Sequence, residues 1–383
     1  MQRLFTSVFK IQLQPISPAK LKRQANRLLI VGFVLALTLP MAGVVMGHAA
    51  TLTAENRLPA PPPKGTKEFS KQFDAYYADR TGGRRMLLRV RNRILLDAFV
   101  ESPTPKVIIG TDNWLYLNTG FDTHDPKGDQ EYDLDTVAKS LTQRASWCRE
   151  RGIVYIVQVA REKHMVHPEH LPEHLQHSPI RDAVPHLKAI CPEVTILDPL
   201  PLLKDEARRT PVYYRTDSHW NTLGVVMGYR QVAEELERCV PGYHGKAFAD
   251  FTPVADRKAP GDLSLIMGTT AKTGEAIDWY HQPPEKIVDH STDDIKAMTA
   301  TVRLSHLEPQ CRTSNNSNGV HLMILHDSFG FTFRDYFASD VAKVTAIGTY
   351  GFPHAWIDQQ KPTVIVQQFV ERAMMKQTLA VKD

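Results

Sequence analysis

The sequence predicts an α/β fold in which a parallel sheet is flanked by helices. Short, apolar runs of strand-forming residues recur from residue 153 onward, which is typical of strands buried on both faces. Stretches with helical periodicity separate these runs, as expected when helices cover a parallel sheet. The 383 residues, of which 42% are hydrophobic and 23% charged, are enough to build such a core.

The predicted elements alternate regularly after a helical stretch at 69–99 and a hairpin at 107–117. Strands are predicted at 153–160, 194–198, 321–326, 341–348 and 363–370. Helices are predicted at 137–151, 180–190, 222–238, 331–337 and 355–360. The segment at about 240–318 breaks the alternation, so we predict an insertion before the strand at 321–326.

The N-terminus combines a basic segment with an uncharged run from Leu28 to Gly47. A helix of ~20 apolar residues can cross a bilayer, and the positive-inside rule would leave the basic segment in the cytoplasm. The predicted organisation is a cytoplasmic segment at 1–27, a transmembrane signal-anchor at 28–50, a proline-rich linker at 51–67 and a folded domain at 68–383. A cleaved secretory signal is the alternative. Both interpretations place the domain in the periplasm, at or near the inner membrane.

The rest of the chain carries almost no net charge. Without the six basic residues that precede Glu55, 40 basic and 42 acidic residues remain. Nucleic-acid binding requires clustered Lys and Arg. The charge pattern therefore excludes a nucleic-acid partner.

Four cysteines fit an oxidising compartment. Cys148 and Cys191 each precede a predicted strand. If those strands are parallel neighbours, both thiols lie at one edge of the sheet, so we predict a Cys148–Cys191 disulfide. Pairing of Cys239 with Cys311 and free buried thiols remain open, and no spacing is typical of a zinc or redox site.

Ser328 is the first candidate catalytic residue, because it follows an apolar strand in HLMILHDSFG and precedes a helix. Such a position offers free backbone N–H groups to an oxyanion, but a serine or Asp327 there also simply caps helices.

Asp217 and His219 are the second candidates, from TDSHWNTLG at 216–224. A short turn would let the Asp217 carboxylate hold one ring nitrogen of His219 and leave the other as a general base for Ser328. This is the arrangement of a serine triad.

Together these segments resemble the SGNH-hydrolase-like acetyltransferases of the alginate O-acetylation machinery, the AlgJ/AlgX type. The segments that carry the resemblance are TDSHW at 216–220 and HDSFG at 326–330, with weaker matches in ENR at 55–57, GTDNWLYL at 110–117, AREKHMVHPEHLP at 160–172 and PTVIVQQFVER at 362–372. The resemblance covers about residues 55–375.

The resemblance implies an Asp–His–Ser triad at Asp217, His219 and Ser328. It implies acetyl transfer to an exopolysaccharide hydroxyl in the periplasm, with the acetyl group received from a membrane-bound O-acyltransferase. The expected reaction needs no cofactor or metal. In contrast to ordinary SGNH esterases, the serine follows the Asp-His pair and no asparagine block supplies a second oxyanion donor.

The backbone N–H of Ser328 is the predicted first oxyanion donor. The second is predicted to be the N–H of Gly330 or the side chain of Arg161 or Lys163.

Further polar and aromatic residues admit two interpretations. Aromatic side chains that could stack on sugar rings, but that are more often core residues, are Trp114, Tyr116, Tyr350 and Trp356. The histidine-rich run at 164–177 could bind a metal, but its prolines interrupt any helix that would align the rings, so we predict a solvated loop.

Two other functions remain open. The same triad would hydrolyse esters if water reached the acyl-enzyme, and a non-catalytic polysaccharide-binding scaffold is the third possibility. Alginate and cellulose are equally compatible acceptors, because the near-neutral domain does not favour a polyanion.

Overall fold

A computed structural model of the chain describes residues 18–45, 60–65, 68–80, 84–119, 133–177, 182–257, 261–269, 276–281, 288–289 and 310–376. The chain divides into two compact units, Met1–Arg93 and Ile94–Asp383. The predicted domain boundaries at 27, 50 and 67 stay predictions.

The N-terminal unit contains helices. Its helices are α1 (Pro18–Val45), α2 (Phe69–Arg80) and the first part of α3 (Arg84–Phe99). The single helical stretch predicted at 69–99 is described as two helices, α2 and α3, and residues 81–83 lie outside the described residues. Among the described residues, no helix has both the length and the hydropathy needed to cross a membrane. The structure therefore gives no support to the predicted anchor at 28–50.

The C-terminal unit is an α/β domain. Its strands are β1 (Val107–Ile109), β2 (Leu115–Leu117), β3 (Val154–Ala160), β4 (Thr195–Leu197), β5 (Thr252–Arg257), β6 (Ala276–His281), β7 (Val288–Asp289), β8 (Gln310–Thr313), β9 (His321–His326), β10 (Lys343–Gly348) and β11 (Val364–Val370). Its helices are α4 (Leu134–Glu150), α5 (Lys163–Val166), α6 (Glu173–Gln176), α7 (Ala183–Ile190), α8 (Leu200–Ala207), α9 (Thr222–Cys239), α10 (Asp262–Ile266), α11 (Phe333–Phe337) and α12 (His354–Gln360).

The main sheet of the described residues has the order β4-β3-β11-β9-β10-β8-β7. Strands β4, β3, β11, β9 and β10 are parallel, and β8 and β7 add an antiparallel edge. The C-terminal strand β11 lies between β3 and β9, in register with both. The ends of β3, β9 and β11 therefore meet at one edge of the sheet, where ligands bind in such folds.

Helices cover both faces of this sheet, as predicted. Gln367 of β11 pairs in register with Val157 of β3, so both side chains point to one face. Arg144 of α4 donates to Gln367 Oε1 at 3.1 Å on that face. Gln158 points to the opposite face and donates to the Gly228 carbonyl of α9 at 2.8 Å.

The predicted insertion contributes strands as well as loops. Within it, β5 and β6 form a separate antiparallel pair, and β7 and β8 extend the main sheet. Its helix α10 packs on the predicted hairpin, which forms from β1 and β2: Leu263 and Met267 are buried against Val107 and Leu115.

The predicted Cys148–Cys191 disulfide is wrong, because both residues are free, buried thiols. Cys191 follows α7, and its Sγ donates to the Leu187 carbonyl of that helix at 2.9 Å. Burial raises the pKa of Cys148 to about 12 and that of Cys191 to about 11. Cys239 and Cys311 are also free.

Three buried histidines should make the folded domain less stable in acid. Burial lowers the pKa of His164, His321 and His326 to about 4 in the folded chain, whereas an unfolded histidine titrates at about 6.5. Between these values the unfolded chain binds more protons, so the free energy of unfolding falls as the pH is lowered.

His321→Gln tests this expectation, because glutamine keeps a partner for Thr345 Oγ1, now 2.9 Å from Nε2. Between pH 7 and pH 4.5 the variant should lose about 2 kcal/mol less stability than the wild type in urea unfolding. His177→Gln, at an exposed position, is the control. Equal losses for wild type and His321→Gln would contradict the expectation.

Candidate active site

Asp217 and His219 lie in the loop that leads into α9. The loop is closed by an antiparallel bridge between Tyr213 and Trp220. Asn221 then begins the helix, and its side chain accepts the N–H of residue 224 at 3.0 Å. The turn and the capped helix start together hold the two catalytic candidates in place.

Ser328 lies in a 3₁₀ turn directly after β9. The carboxylate of Asp327 accepts the N–H of Phe329 at 2.9 Å and the N–H of Val370 at 2.7 Å. Asp327 therefore ties the turn to the end of the neighbouring strand β11. The turn is tight, because a Cβ on Gly330 would lie 2.5 Å from both Gln368 Oε1 and His326 Cβ. Ser328 itself is exposed.

The structure brings Asp217, His219 and Ser328 into one hydrogen-bonded chain. His219 Nδ1 lies 2.7 Å from Asp217 Oδ1, and His219 Nε2 lies 2.8 Å from Ser328 Oγ. Because an ionised carboxylate only accepts hydrogen bonds, Nδ1 carries a proton and Nε2 is free to accept from the serine hydroxyl. The His219 ring also packs on Phe329, with ring centroids 4.7 Å apart.

A third acidic residue, Asp262, joins this site from the insertion. Its N–H donates to Asp217 Oδ2 at 3.2 Å, and its carboxylate lies 3.6 Å from His219 Nδ1. Burial and the charge of Asp217 raise the pKa of Asp262, while His219 and hydrogen bonds from Ser218 oppose that rise. Asp262 is not recognisable from the sequence, because a Gly-Asp pair before an apolar stretch indicates only the start of a helix.

Asp217, His219 and Asp262 each offer a ligand atom within 4.8 Å of the others, close enough to hold a metal ion. Each of these atoms already has a hydrogen-bonding role: His219 Nδ1 binds Asp217, and the Asp262 carboxylate accepts from Ser218. Hydrogen bonds among these side chains therefore account for their close approach.

The predicted second oxyanion donors are engaged elsewhere. Gly330 N–H donates to the Asp327 carbonyl at 3.2 Å. Arg161 faces carboxylates of three residues, and Lys163 Nζ donates to three backbone carbonyls. These assignments are wrong, because the turn uses the N–H of Gly330, and the side chains of Arg161 and Lys163 are only 0% and 3% exposed. Among the described residues, the N–H of Ser328 makes no hydrogen bond and remains able to bind an oxyanion.

Two neighbouring ion pairs of opposite polarity support the sheet edge beside Ser328. The chain continues from β3 into Arg161 and Glu162, and from the adjacent β11 into Glu371 and Arg372. Arg161 faces Glu371 at 3.6 Å, and Arg372 donates to Glu162 at 2.9 and 3.0 Å. Burial raises the pKa of Glu371 to about 7.

Three of the four predicted sugar-stacking aromatics belong to the core. Trp114, Tyr116 and Trp356 are at most 3% exposed, so their predicted role is wrong. Tyr350 is partly buried, with its hydroxyl 3.5 Å from Asp327 Oδ2, and stays a candidate.

The solvated loop predicted at 164–177 is only partly correct. His164 and His167 are buried, whereas His174 and His177 are exposed. His167 is held by its polar neighbours: Nδ1 lies 2.9 Å from Glu169.

Comparison with known proteins identifies the family. Residues 107–304 match the model of a family described as an SGNH hydrolase-like domain, acetyltransferase AlgX. This match spans more than half of the chain. The chain belongs to this SGNH-hydrolase-like AlgX family.

Sequence relatives support an O-acetyltransferase activity for the family. A probable alginate O-acetylase AlgJ of Pseudomonas syringae pv. tomato is 23% identical over 237 residues, which cover 61% of this chain and 58% of the relative. The probable alginate O-acetylase AlgJ of Pseudomonas aeruginosa is 26% identical over 173 residues, which cover 44% of this chain and 42% of the relative. The matches thus span about two fifths to three fifths of these relatives.

A solved structure supports the fold. PatB1 of Bacillus cereus with a sulfonyl adduct has a TM-score of 0.53 and 14% sequence identity, covering 72% of this chain and 100% of that chain. At this identity the likeness establishes the fold alone.

Proposed function

We propose that this AlgX-family chain is an O-acetyltransferase that carries an acetyl group on Ser328 and transfers it to a polysaccharide hydroxyl. The observation that carries the proposal is the chain of hydrogen bonds from Asp217 through His219 to an exposed Ser328. A serine hydroxyl is a poor nucleophile without an adjacent base, and His219 Nε2 is in hydrogen-bonding distance to act as one.

The reaction has two halves. Ser328 Oγ attacks the carbonyl carbon of an acetyl donor while His219 Nε2 takes the hydroxyl proton. His219 then returns that proton to the leaving group of the donor, and acetyl-Ser328 remains. In the second half an acceptor hydroxyl attacks the acetyl carbon, His219 takes its proton, and Ser328 leaves with that proton restored.

Asp217 and the turn at Ser328 assist both halves. Asp217 holds the His219 ring in one orientation and stabilises its positive charge while the ring carries the proton. The N–H of Ser328, which donates to none of the described residues, can stabilise the oxyanion of each tetrahedral intermediate.

The donor, acceptor and location complete the proposal. The names of the relatives favour a secreted polysaccharide such as alginate as acceptor. A membrane-bound O-acyltransferase that supplies acetyl groups in the periplasm is the proposed donor, in line with the basic and apolar N-terminal sequence.

Acetyl transfer from 4-nitrophenyl acetate to an oligosaccharide tests the proposal. Ser328→Ala and His219→Ala should each lower the rate by at least about 10³-fold. Mass spectrometry should detect acetylated sugar with the wild type, and acetyl-Ser328 when the acceptor is omitted. Ser146→Ala, in α4 and away from the loop and the turn, is the control.

Other outcomes would support other functions. Release of acetate without acetylated sugar would identify an esterase. Unchanged transfer rates in both variants would refute the triad. Sugar binding by the wild type without any acetyl transfer would indicate a non-catalytic scaffold.

A further inference from the structure

We propose that Asp262 is a positioning residue that holds the Asp217–His219 loop and places a second negative charge beside the His219 ring. The inference builds on the proposed function, because it concerns the base that activates Ser328. It assigns a role in catalysis to the inserted segment at about 240–318, whose sequence breaks the strand–helix alternation of the rest of the domain.

The backbone of the insertion lies in direct contact with the catalytic loop. A Cβ added to Gly261 would lie 2.2 Å from the Thr216 carbonyl oxygen and 2.5 Å from the Asp217 nitrogen, so only glycine fits there. Around this contact, Gly261 N–H donates to Thr216 Oγ1 at 3.3 Å and Ser264 N–H donates to the Thr216 carbonyl at 3.4 Å. Such a close approach fixes the start of α10 against the loop.

The side chain of Asp262 then binds the residue between the two catalytic candidates. Asp262 Oδ1 accepts Ser218 N–H at 2.7 Å, and Oδ2 accepts Ser218 Oγ–H at 2.6 Å. Both oxygens act as acceptors, which suits the ionised carboxylate. Hydrogen bonds of this kind, with a charged acceptor, are among the stronger ones in proteins.

The charge of Asp262 acts on His219. The carboxylate oxygens of Asp217 and Asp262 lie 2.7 and 3.6 Å from His219 Nδ1. When His219 takes the Ser328 proton, its positive charge is therefore flanked by two carboxylates. An opposite charge within about 4–6 Å favours the charged form of a titrating group.

Other charged groups lie near the site, and a substitution at residue 262 alone leaves their charges unchanged. Asp327 and Arg372 lie at the turn of Ser328. Asp327 interacts electrostatically with both Arg372 and His219. Lys163 lies on the other side, at the Asp217 carbonyl. A change caused by neutralising Asp262 is therefore assignable to that carboxylate.

Asp262→Asn tests the proposal, because asparagine keeps the size and one acceptor oxygen but removes the charge. The acid limb of the pH profile of kcat/KM should move to lower pH by about one unit, since the ring loses a stabilising anion. At the pH optimum kcat should fall about tenfold, with a smaller change in KM. Asp205→Asn, an exposed surface residue, is the matched control.

A second measurement does not depend on the reaction. In the NMR titration of the ring carbons, with the His219 signal assigned from its loss in His219→Gln, that ring should be protonated at lower pH in Asp262→Asn than in wild type. If asparagine at 262 prevents folding, Asp262→Ser, neutral and smaller, carries the same expectation.

The two readouts separate the possible failures. An unshifted His219 titration in a folded, neutral variant would overturn the role of Asp262, even if activity falls. A shifted titration in a protein whose transfer rate survives Ser328→Ala would support the role of Asp262 and overturn the proposed catalysis instead.

Discussion

Replacing Asp217 with asparagine is expected to lower kcat about 10⁴-fold with little change in the fold. The reason is the set of hydrogen bonds around the carboxylate. Asp217 Oδ1 accepts both the backbone N–H and the Nδ1–H of His219, at 3.0 and 2.7 Å, and Oδ2 accepts the N–H of Asp262 at 3.2 Å. All three partners are donors.

An asparagine cannot satisfy these three donors. In one orientation its NH₂ group faces the N–H of Asp262. In the other it faces His219, where Nδ1 must give up its proton to accept, so the proton moves to Nε2 and blocks the base. Either arrangement loses a bond or the active tautomer.

Steady-state kinetics on 4-nitrophenyl acetate, with circular dichroism as the check on folding, measures this effect. Asp217→Asn should lower kcat much more than Asp262→Asn, because only Asp217 sets the tautomer of His219. A folded Asp217→Asn protein that keeps a tenth or more of the wild-type kcat would contradict the assigned role.

Replacing Lys163 with methionine should lower the free energy of unfolding by about 3 kcal/mol. Lys163 is 3% exposed, and its Nζ donates to the carbonyls of Leu115, Arg215 and Asp217 at 2.6, 2.7 and 3.1 Å. The ammonium group thus uses all three of its protons. Methionine has a similar length and no donor, so all three carbonyl oxygens lose the ammonium, although that of Arg215 keeps another donor, the N–H of Leu115.

The same substitution should also reduce activity, because the Asp217 carbonyl is one of the three acceptors. We expect a lower kcat at a temperature where the variant remains folded. Urea unfolding of Lys163→Met, compared with Lys188→Met at an exposed position of α7, provides the measurement. A loss of stability no larger than that of Lys188→Met would show that the three bonds contribute little.

Much of the fold was predictable because its signals are local. The apolar runs of β3, β9 and β11 are buried along nearly their whole length, and strands of that kind are recognisable from composition. The order of the strands was not predictable. β11 comes last in the chain but lies between β3 and β9, and nothing local to these runs specifies which strands become neighbours.

The roles of several polar and aromatic residues near the sheet edge were also not predictable from the sequence. Lys163 was a candidate oxyanion donor on the basis of its residue type, yet its ammonium group is bound by three carbonyls from two distant segments. Trp114 and Tyr116 were candidates for sugar binding, but they pack beside that ammonium in the core, with ring centroids 4.8 and 5.1 Å from Nζ. Burial depends on partners far away in the sequence, so residue type alone could not assign these roles.

The sequence by itself determined the family resemblance and the residues Asp217, His219 and Ser328, because short motifs at a strand–helix junction and a helix start carry them. Only the tertiary structure decided that Nε2 of His219 lies 2.8 Å from Ser328 Oγ, across 109 residues of chain. The tertiary structure also brought Asp262 to the loop, through a glycine contact that no local pattern indicates. The physical reason is that strand pairing and close backbone packing depend on contacts throughout the core. A motif, in contrast, reflects only residues that are close together in the sequence.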